Sequence, residues 1–350
     1  INQFLNLYNK GKLSALIDQA EVLINQYPKS FMIWNIMGAV KQRLGQVEDA
    51  SFAFKKVTSL NPTYAGGYNN LGIILQEQGK IKEAMEAYKK AIYIKPNYAE
   101  VYSNIGNILK EQSKLDEAIE IYKKALLLKP DYAEAYNYMG IALEEQGKLD
   151  EALEAYNKAI SFEPHYADAY LNLGLVLHDQ GKLDEAIEAY TKALSLESNL
   201  VEAWNNGAVA LEKWNKLDEL EVWLEKAFNS FEAVPSELKF MKSKLLWRKK
   251  KYEETATLLS EIEPEFLAET HRQDYLQLKA KCLEQSKKFE EAYKCFAKSN
   301  SLAKKSKEYL SCDPEQYFQN LKDDLDKLRT SPHKIPKAQS RAIPEFSPVF

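Results

Sequence analysis

A 34-residue period is the feature that most limits what this chain of 350 residues can fold into. A large aromatic residue, a glycine, an alanine and a second aromatic residue recur at that interval. The alanines are Ala50, Ala84, Ala118, Ala152 and Ala186, and the glycines are Gly38, Gly72, Gly106, Gly140 and Gly174. Repeats of this length indicate a stacked array in which each unit buries its apolar face against its neighbours.

Each repeat has the pattern of two antiparallel helices. Apolar side chains recur at helical spacing in residues 99–112, and residues 116–127 show the same pattern. Residues 113–115 form the predicted turn between the two helices, and Asp116 is predicted to cap the second one. Pro130 follows the second helix and cannot continue it.

Two packing details follow from the same pattern. The small Gly106 is expected to let the two helix backbones of its repeat approach closely. Glutamate and lysine four residues apart are expected to pair on the exposed faces, at about 0.2–0.5 kcal/mol per pair. The expected pairs are Glu86–Lys90, Glu120–Lys124, Glu154–Lys158 and Glu188–Lys192.

The repeat pattern resembles that of the tetratricopeptide repeat family. The family pattern is a large aromatic residue, Leu-Gly, Ala, an aromatic residue and Pro, and it recurs five times here with small changes. In one repeat it reads Tyr68, Leu71-Gly72, Ala84, Tyr88 and Pro96. The resemblance implies an all-α fold, a right-handed α-solenoid (superhelix) of about eight helix pairs with an added C-terminal helix.

The pattern decays at both ends, which divides the chain into zones. We predict a partial leading repeat (1–30), five regular repeats (31–64, 65–98, 99–132, 133–166 and 167–200), a degenerate repeat (201–235), two divergent helix pairs (236–305), a capping helix (306–330) and a Pro-rich linker or tail (331–350). The capping helix is expected because a solenoid needs an atypical outer face at its end. The chain begins with Ile1, so we expect a fragment of a longer protein or a processed form.

Charge and composition exclude several function classes. Residues 1–235 carry 24 basic and 33 acidic side chains, a net charge of −9. This argues against an RNA-binding helical repeat, because phosphate contacts need Lys and Arg. No apolar run approaches the roughly 18 residues of a membrane-spanning helix. Three cysteines (Cys282, Cys295 and Cys312) are too few for a disulfide framework and are expected to be buried or half-buried. We therefore expect a cytoplasmic protein without nucleic-acid or membrane partners.

The motifs of catalysis are absent from the sequence. There is no HExxH, CxxC or GxSxG, and the Gly-Lys dipeptides lack the spacing of a phosphate-binding loop. The run Arg248-Lys249-Lys250-Lys251 is predicted to be a solvated turn rather than a nucleic-acid patch, because no aromatic residues are interleaved with it. The chain is therefore predicted to be no enzyme by itself and to hold no cofactor or metal.

The candidate binding residues are asparagines of the first helices. In this family the first helix of each pair lines the concave side, at the fifth, sixth, ninth, twelfth and thirteenth residues when the large aromatic counts as fourth. The candidates are Asn35, Asn69, Asn70, Asn104, Asn107, Asn137, Asn172, Asn205 and Asn206, with Lys110 and His178 at the twelfth residue. Asparagine is a poor helix former, so its recurrence at the same positions of successive repeats indicates a functional or structural role.

Two interpretations of these asparagines are open. Their amides could form a ladder that binds the backbone of an extended peptide, which resembles the asparagine ladder in the repeat arm of O-linked N-acetylglucosamine transferase. Alternatively, they bond within the array, to backbone or to neighbouring repeats. Ile36 and Tyr138 interrupt the row of asparagines. The twelfth and thirteenth residues form a band that is acidic in its middle, which indicates either a partner with positive charge or an ordinary solvated face.

Two functional hypotheses use this groove. The first is a protein-interaction scaffold that binds an extended peptide or partner segment. The second rests on the order of the zones, which resembles bacterial tetratricopeptide repeat arrays fused to a sulfotransferase domain. In that case the chain would be the substrate-recognition arm of an enzyme that uses 3′-phosphoadenylyl sulfate, with the catalytic domain beyond Phe350. Self-association of the open stack is a further alternative.

Overall fold

The computed structural model describes residues 13–303, which form 17 α-helices and one 3₁₀ turn. Within these residues there is no β-strand, and successive helices pack in pairs, so the predicted all-α class is confirmed. None of the described helices is long and apolar enough to cross a membrane. The predicted capping helix, the Pro-rich tail and the start of the leading repeat lie outside the described residues.

The first compact unit ends at Met241 and contains helices α1 to α13. The bounds are α1 Leu13–Gln26, α2 Phe31–Arg43, α3 Val47–Leu60, α4 Ala65–Glu77, α5 Ile81–Ile94, α6 Ala99–Glu111, α7 Leu115–Leu128, α8 Ala133–Glu145, α9 Leu149–Phe162, α10 Ala167–Asp179, α11 Leu183–Leu196, α12 Val201–Lys213 and α13 Leu217–Asn229. From α2 onward, an even-numbered helix is the first of its pair and the following odd-numbered helix is the second.

The turn inside each pair contains one residue in the left-handed conformation. It is a glycine in four pairs: Gly45, Gly79, Gly147 and Gly181, with φ between 70° and 74°. Between α6 and α7 it is Ser113, with φ of 58°. The backbone N–H of Ser113 donates to the carbonyl of Lys110 at 2.8 Å, and that of Lys114 donates to the carbonyl of Leu109 at 2.9 Å. These two bonds close a Schellman turn, which satisfies carbonyls at the helix end.

The start of α7 corrects one expectation. The residue at the N-cap is Lys114, and its side chain makes no capping hydrogen bond. Asp116 lies inside the first turn, where its carboxylate accepts a hydrogen bond from Nε2 of Gln146 at 2.9 Å. The predicted cap at Asp116 is therefore wrong, because the N-cap lies two residues earlier, at Lys114.

Each glycine in the middle of a first helix lies under an aromatic ring of the second helix. A Cβ atom built on Gly106 would lie 2.5 Å from Cε1 of the fully buried Tyr122. A Cβ atom built on Gly72 would likewise lie 2.4 Å from Cε1 of Tyr88, which is closer than a real side chain could approach without a shift of the ring. Gly106 therefore makes room for the ring of Tyr122, which lies between the two helices of the pair.

The last pair of the first unit shifts this contact by one residue. The glycine of α12 is Gly207, and the ring above it belongs to Trp223, which lies one residue before the regular aromatic position. Trp223 donates its indole N–H to the carbonyl of Trp204 at 2.9 Å, and the two rings meet edge to face with centroids 5.0 Å apart. The glycine and the aromatic residue have moved together, which preserves the packing.

In three repeats the first aromatic residue ties the preceding loop to its helix. Nε1 of Trp34 donates to the carbonyl of Pro28 at 2.9 Å, and the hydroxyl of Tyr102 donates to that of Pro96 at 3.1 Å. In α12 the indole of Trp204 donates to the carbonyl of Ser198 at 2.9 Å. Because a carbonyl is the acceptor, the bond survives where serine replaces proline.

The exposed ion pairs of the second helices differ in part from expectation. Glu154 pairs with Lys158 at 3.0 Å, as predicted. Glu120 pairs with Lys123 at 2.9 Å instead of Lys124, whose ammonium lies 4.6 Å from the centre of the Tyr102 ring. Both arrangements keep a lysine amine near a favourable partner. Residue 157 is asparagine, so Glu154 has no lysine at the position that Lys123 occupies relative to Glu120.

The second compact unit begins at Lys242, inside α14 (Ser236–Arg248). It continues with α15 (Tyr252–Ser260), a 3₁₀ turn (Pro264–Phe266), α16 (Glu269–Gln285) and α17 (Phe289–Ala303). The turn predicted at the basic run Arg248-Lys249-Lys250-Lys251 is confirmed, since Lys249 and Lys250 lie between α14 and α15.

Lys250 holds the left-handed conformation of that turn, with φ of 60°. In the same unit, Cys282 is buried and Cys295 is half-buried, as expected, and both are free thiols. Burial raises the pKa of the Cys282 thiol to about 11. Cys312 lies outside the described residues.

Candidate peptide-binding surface

The first helices α2, α4, α6, α8, α10 and α12 follow one another side by side. We call their common face the first-helix surface. All the predicted site residues lie on these helices, at the fifth, sixth, ninth or twelfth residue of a repeat. They are held in place by the buried glycine–aromatic contacts between each first helix and its second helix.

Asparagine side chains bond from one first helix to the next. Nδ2 of the sixth residue donates to Oδ1 of the fifth residue of the preceding repeat, 35 positions earlier. The three bonds are Asn70 to Asn35, Asn104 to Asn69 and Asn172 to Asn137, each 3.0 Å long. These contacts are the inter-repeat bonds of the second sequence interpretation, and we call them the asparagine ladder.

The ladder leaves hydrogen-bonding capacity at its outer members. The acceptors Asn69 and Asn137 are only 8% and 2% exposed, whereas the donors Asn70, Asn104 and Asn172 are half-buried and reach the surface. An asparagine amide offers two N–H donors and an acceptor oxygen. At Asn104 and Asn172, one N–H and the oxygen have no hydrogen-bond partner within residues 13–303.

The ladder is interrupted between its second and third bonds. Tyr138 takes the place of the sixth-residue asparagine, and its ring stacks on Tyr122 with centroids 6.4 Å apart. Asn107 is engaged beneath, where Oδ1 accepts the hydroxyl of Tyr122 at 2.6 Å. In α12 Asn205 and Asn206 are half-buried, and Oδ1 of Asn205 finds no partner among the described residues.

A second row of contacts joins the twelfth residue of each repeat to the thirteenth residue of the next. We call it the polar ladder. Its contacts are Gln42 Nε2 to Glu77 Oε1 at 2.5 Å, Gln76 Nε2 to Glu111 Oε1 at 3.1 Å, Lys110 Nζ to Glu145 Oε1 at 3.9 Å, and Lys213 Nζ to His178 Nε2 at 3.2 Å. Two predicted site residues, Lys110 and His178, are therefore members of this ladder.

One step of the polar ladder places two acids together. Glu144 and Asp179 occupy the twelfth and thirteenth residues there, so the step has two carboxylates and no donor. Burial raises the pKa of Glu144, and the charges of Asp179 and Glu145 raise it further, while a hydrogen bond from the Tyr156 hydroxyl at 2.8 Å opposes the shift. Both acids belong to the acidic band of twelfth and thirteenth residues, and the sequence alone does not show that they face each other.

The next step shows the opposite electrostatic effect. Burial lowers the pKa of His178, and the adjacent positive charge of Lys213 lowers it further. A neutral imidazole can accept a hydrogen bond through one ring nitrogen. His178 therefore fits as the acceptor for the Lys213 ammonium rather than as a free binding group.

Buried tyrosines support the polar ladder from below. Tyr88 donates its hydroxyl to Gln76 at 3.3 Å, and Tyr156 donates to Glu144 at 2.8 Å. The equivalent Tyr190 is fully buried, and its hydroxyl has no hydrogen-bond partner in the described part of the chain. The repeat pattern alone does not indicate where the Tyr190 hydroxyl points.

Comparison with known proteins matches the repeats to family models. Models described as tetratricopeptide repeat match residues 33–64, 53–86 and 167–200. A model described as TPR repeat matches residues 74–113, 106–147 and 142–181. No curated protein gives a significant match.

Solved structures of similar fold are numerous. A crystal structure of MamA is 31% identical and covers 46% of this chain and 95% of its own, with a TM-score of 0.40. Pseudomonas aeruginosa pilF is 18% identical over 65% of this chain and 99% of its own, with a TM-score of 0.52. The APC/C hetero-tetramer Cut9–Hcn1 is 17% identical over 70% of this chain and 48% of its own, with a TM-score of 0.57. The last two share the fold, and with the family matches they identify residues 33–200 of this chain as tetratricopeptide repeats.

Proposed function

We propose that the chain is a protein-interaction scaffold whose first-helix surface binds an extended segment of a partner protein. The observation that carries this proposal is the state of Asn104 and Asn172. One N–H of each amide is fixed by the asparagine ladder, and the remaining N–H and oxygen have no partner among residues 13–303 and lie at a half-buried surface. In this proposal the two sequence interpretations are compatible, since the inter-repeat bond orients the amide that binds.

The physical gain lies in this orientation. An extended peptide presents backbone N–H and C=O groups, which an asparagine amide can satisfy without reading the peptide sequence. A free surface asparagine would lose rotamer entropy on binding, at about 0.5–1.5 kcal/mol per immobilised side chain. A side chain already held by a bond to the neighbouring repeat has lost most of that freedom during folding.

The test uses the full chain and a displayed library of random 12-residue peptides. We expect peptides to be selected, and the triple variant Asn70→Ala, Asn104→Ala, Asn172→Ala to bind them at least about tenfold more weakly, since each lost hydrogen bond is worth about 0.5–1.5 kcal/mol. Asn157→Ala is the matched control, because it removes an amide that bonds to the Leu153 carbonyl on a second helix.

Circular dichroism and urea unfolding must accompany these measurements, because loss of Asn104 also leaves the buried Asn69 oxygen without its donor. If the folded triple variant binds the peptides as well as the parent chain does, the asparagines are structural only. If no peptide is selected, the scaffold proposal itself is wrong.

The sulfotransferase-arm hypothesis stays a prediction. It rests on the order of the sequence zones and on residues 314–350, which lie outside the described residues. Reading the encoding gene past Phe350 tests it directly. A strand followed by a phosphosulfate-type loop would make this surface the recognition arm of an enzyme, and its absence would leave the scaffold proposal alone.

A further inference from the structure

The polar ladder has complementary partners at four of its five steps along α2 to α12. Amide–carboxylate pairs occupy the first two steps, a lysine–glutamate pair the third, and a lysine–histidine contact the last. Only the step between α8 and α10 joins two groups of like charge, Glu144 and Asp179. The described residues give Asp179 no ion pair and no hydrogen bond to its side chain, and it is exposed.

No cation of the described chain fills this step. The lysines on either side along the ladder are engaged, Lys110 with Glu145 and Lys213 with His178. Glu144 uses Oε2 to accept the Tyr156 hydroxyl, which leaves Oε1 as an acceptor. No group of three or more His, Cys, Asp and Glu side chains suited to a metal ion occurs in the described part of the chain, which favours an organic cation.

A second, independent observation comes from Tyr190 beneath this step. Its counterparts Tyr88, Tyr122 and Tyr156 each donate a hydroxyl hydrogen bond to a side chain of the first helix. The hydroxyl of Tyr190 is buried and lacks such a partner among residues 13–303. Burial, and then the charges of Asp179 and Glu144, raise the pKa of Tyr190, so the hydroxyl lies within the field of both carboxylates and stays protonated.

We propose that a lysine or arginine side chain of the bound partner segment inserts between Glu144 and Asp179, above the buried Tyr190 hydroxyl. The inference deepens the proposed function and rests on it. The inserted cation supplies the donors that this step lacks, because its N–H groups donate to Oε1 of Glu144 and to the Asp179 carboxylate. Charge-assisted hydrogen bonds of this kind are about twice as strong as neutral ones.

The experiment begins with the random 12-residue library on the full chain. We expect the selected peptides to share a lysine or arginine at one aligned position. A selected peptide is then resynthesised with citrulline in place of that arginine, or norleucine in place of that lysine. On the parent chain we expect the neutral peptide to bind at least about tenfold more weakly.

The variant that isolates the step is Glu144→Gln with Asp179→Asn, which keeps the size and shape of both side chains. On this double variant the charged and neutral peptides should bind within about twofold of each other, because the attraction between the peptide cation and the two carboxylates has been removed. The matched control is Glu120→Gln with Glu154→Gln, which removes two charges from exposed ion pairs on second helices. On the control, the preference for the charged peptide should remain.

The outcomes separate the two proposals. Peptides that are selected without a shared basic residue would overturn the cation site and leave the scaffold intact. A basic preference that persists unchanged on Glu144→Gln with Asp179→Asn would also overturn it, since the cation would then bind elsewhere. Failure to select any peptide would overturn both.

Discussion

At the scale of single residues, the turn after α6 shows how a glycine position is filled by another residue. Ser113 adopts φ of 58°, where four equivalent turns use glycine at 70° to 74° and the turn after α12 uses Asn215 at 57°. Side chains other than glycine reach this conformation at a cost of roughly 1–2 kcal/mol, because Cβ approaches the following carbonyl oxygen. The two Schellman hydrogen bonds hold Ser113 there despite that cost.

Replacing Ser113 with glycine should therefore stabilise the chain. Part of the gain is offset, because glycine has more freedom to lose on folding. We expect the free energy of unfolding to rise by about 0.5–1 kcal/mol in urea denaturation. The converse change Gly147→Ser, at a residue with φ of 74°, should lower it by a similar amount. Equal stability of parent and Ser113→Gly would show that the turn bears no strain.

Glu144 makes a residue-scale prediction about pH. Its pKa is raised in the folded chain, first by burial and then by Asp179 and Glu145. A raised carboxyl pKa means that the folded state prefers the protonated form, so ionisation of Glu144 destabilises the fold as the pH rises through that pKa. Well below the ordinary glutamate pKa of about 4.3, both states are protonated and the effect vanishes.

The variant Glu144→Gln should consequently melt at a higher temperature than the parent chain at pH 7. The difference should shrink as the pH is lowered towards about 4, where the parent carboxyl is also neutral. Thermal melts followed by circular dichroism at several pH values measure both trends. A variant that melts lower than the parent at pH 7 would show that the Tyr156 hydrogen bond outweighs the burial and repulsion at this site.

At the scale of the helix pair, the glycine–aromatic contact sets the distance between the two helices. Tyr122 is fully buried, so its ring cannot swing into solvent when Gly106 is enlarged. A Cβ at 2.5 Å must push the ring or separate the helices. Alanine gains up to about 1 kcal/mol over glycine from helix propensity, and overpacking costs about 1–3 kcal/mol.

We expect Gly106→Ala to lower the free energy of unfolding by about 1–2 kcal/mol, because the ring has no room to yield. In a Tyr122→Leu background the same substitution should cost less, since the clashing Cε1 atom is gone. Urea unfolding of the four chains gives this coupling as a double-mutant cycle. Additive effects would mean that the Tyr122 ring is not what limits residue 106.

The same scale shows what sequence can and cannot predict. The spacing between Gly106 and Tyr122 is set within one helix pair, so the pattern predicted the packed pairs and the all-α class. Glu120 pairs with Lys123, while Lys124 lies over the Tyr102 ring of the first helix, a contact that no spacing rule includes. Asp116 failed as a cap for a similar reason, because the Schellman turn fixes where α7 begins.

At the scale of the whole molecule, the candidate site depends on contacts between repeats. The phase of the asparagines identified Asn104 and Asn172, but the 35-residue offset of their bonds required the stacking of successive first helices. Glu144 and Asp179 are ordinary acidic residues within their own repeats, and they become unusual only when the repeats are placed together. The Tyr190 hydroxyl, which has no hydrogen-bond partner in the part of the chain that the structure describes, could likewise be found only from three-dimensional structure.

The offset of 35 residues exceeds the repeat length by one, so each contact joins different positions of two successive repeats. Each step of the polar ladder is formed by the twelfth residue of one repeat and the thirteenth residue of the next, so its charge depends on which repeats are neighbours. Excising residues 133–166 would delete Glu144 and bring Lys110 opposite Asp179, replacing a repulsive step with an attractive one. Gain, loss or shuffling of whole units can thus rewrite what the surface recognises without altering a single residue within the units that remain.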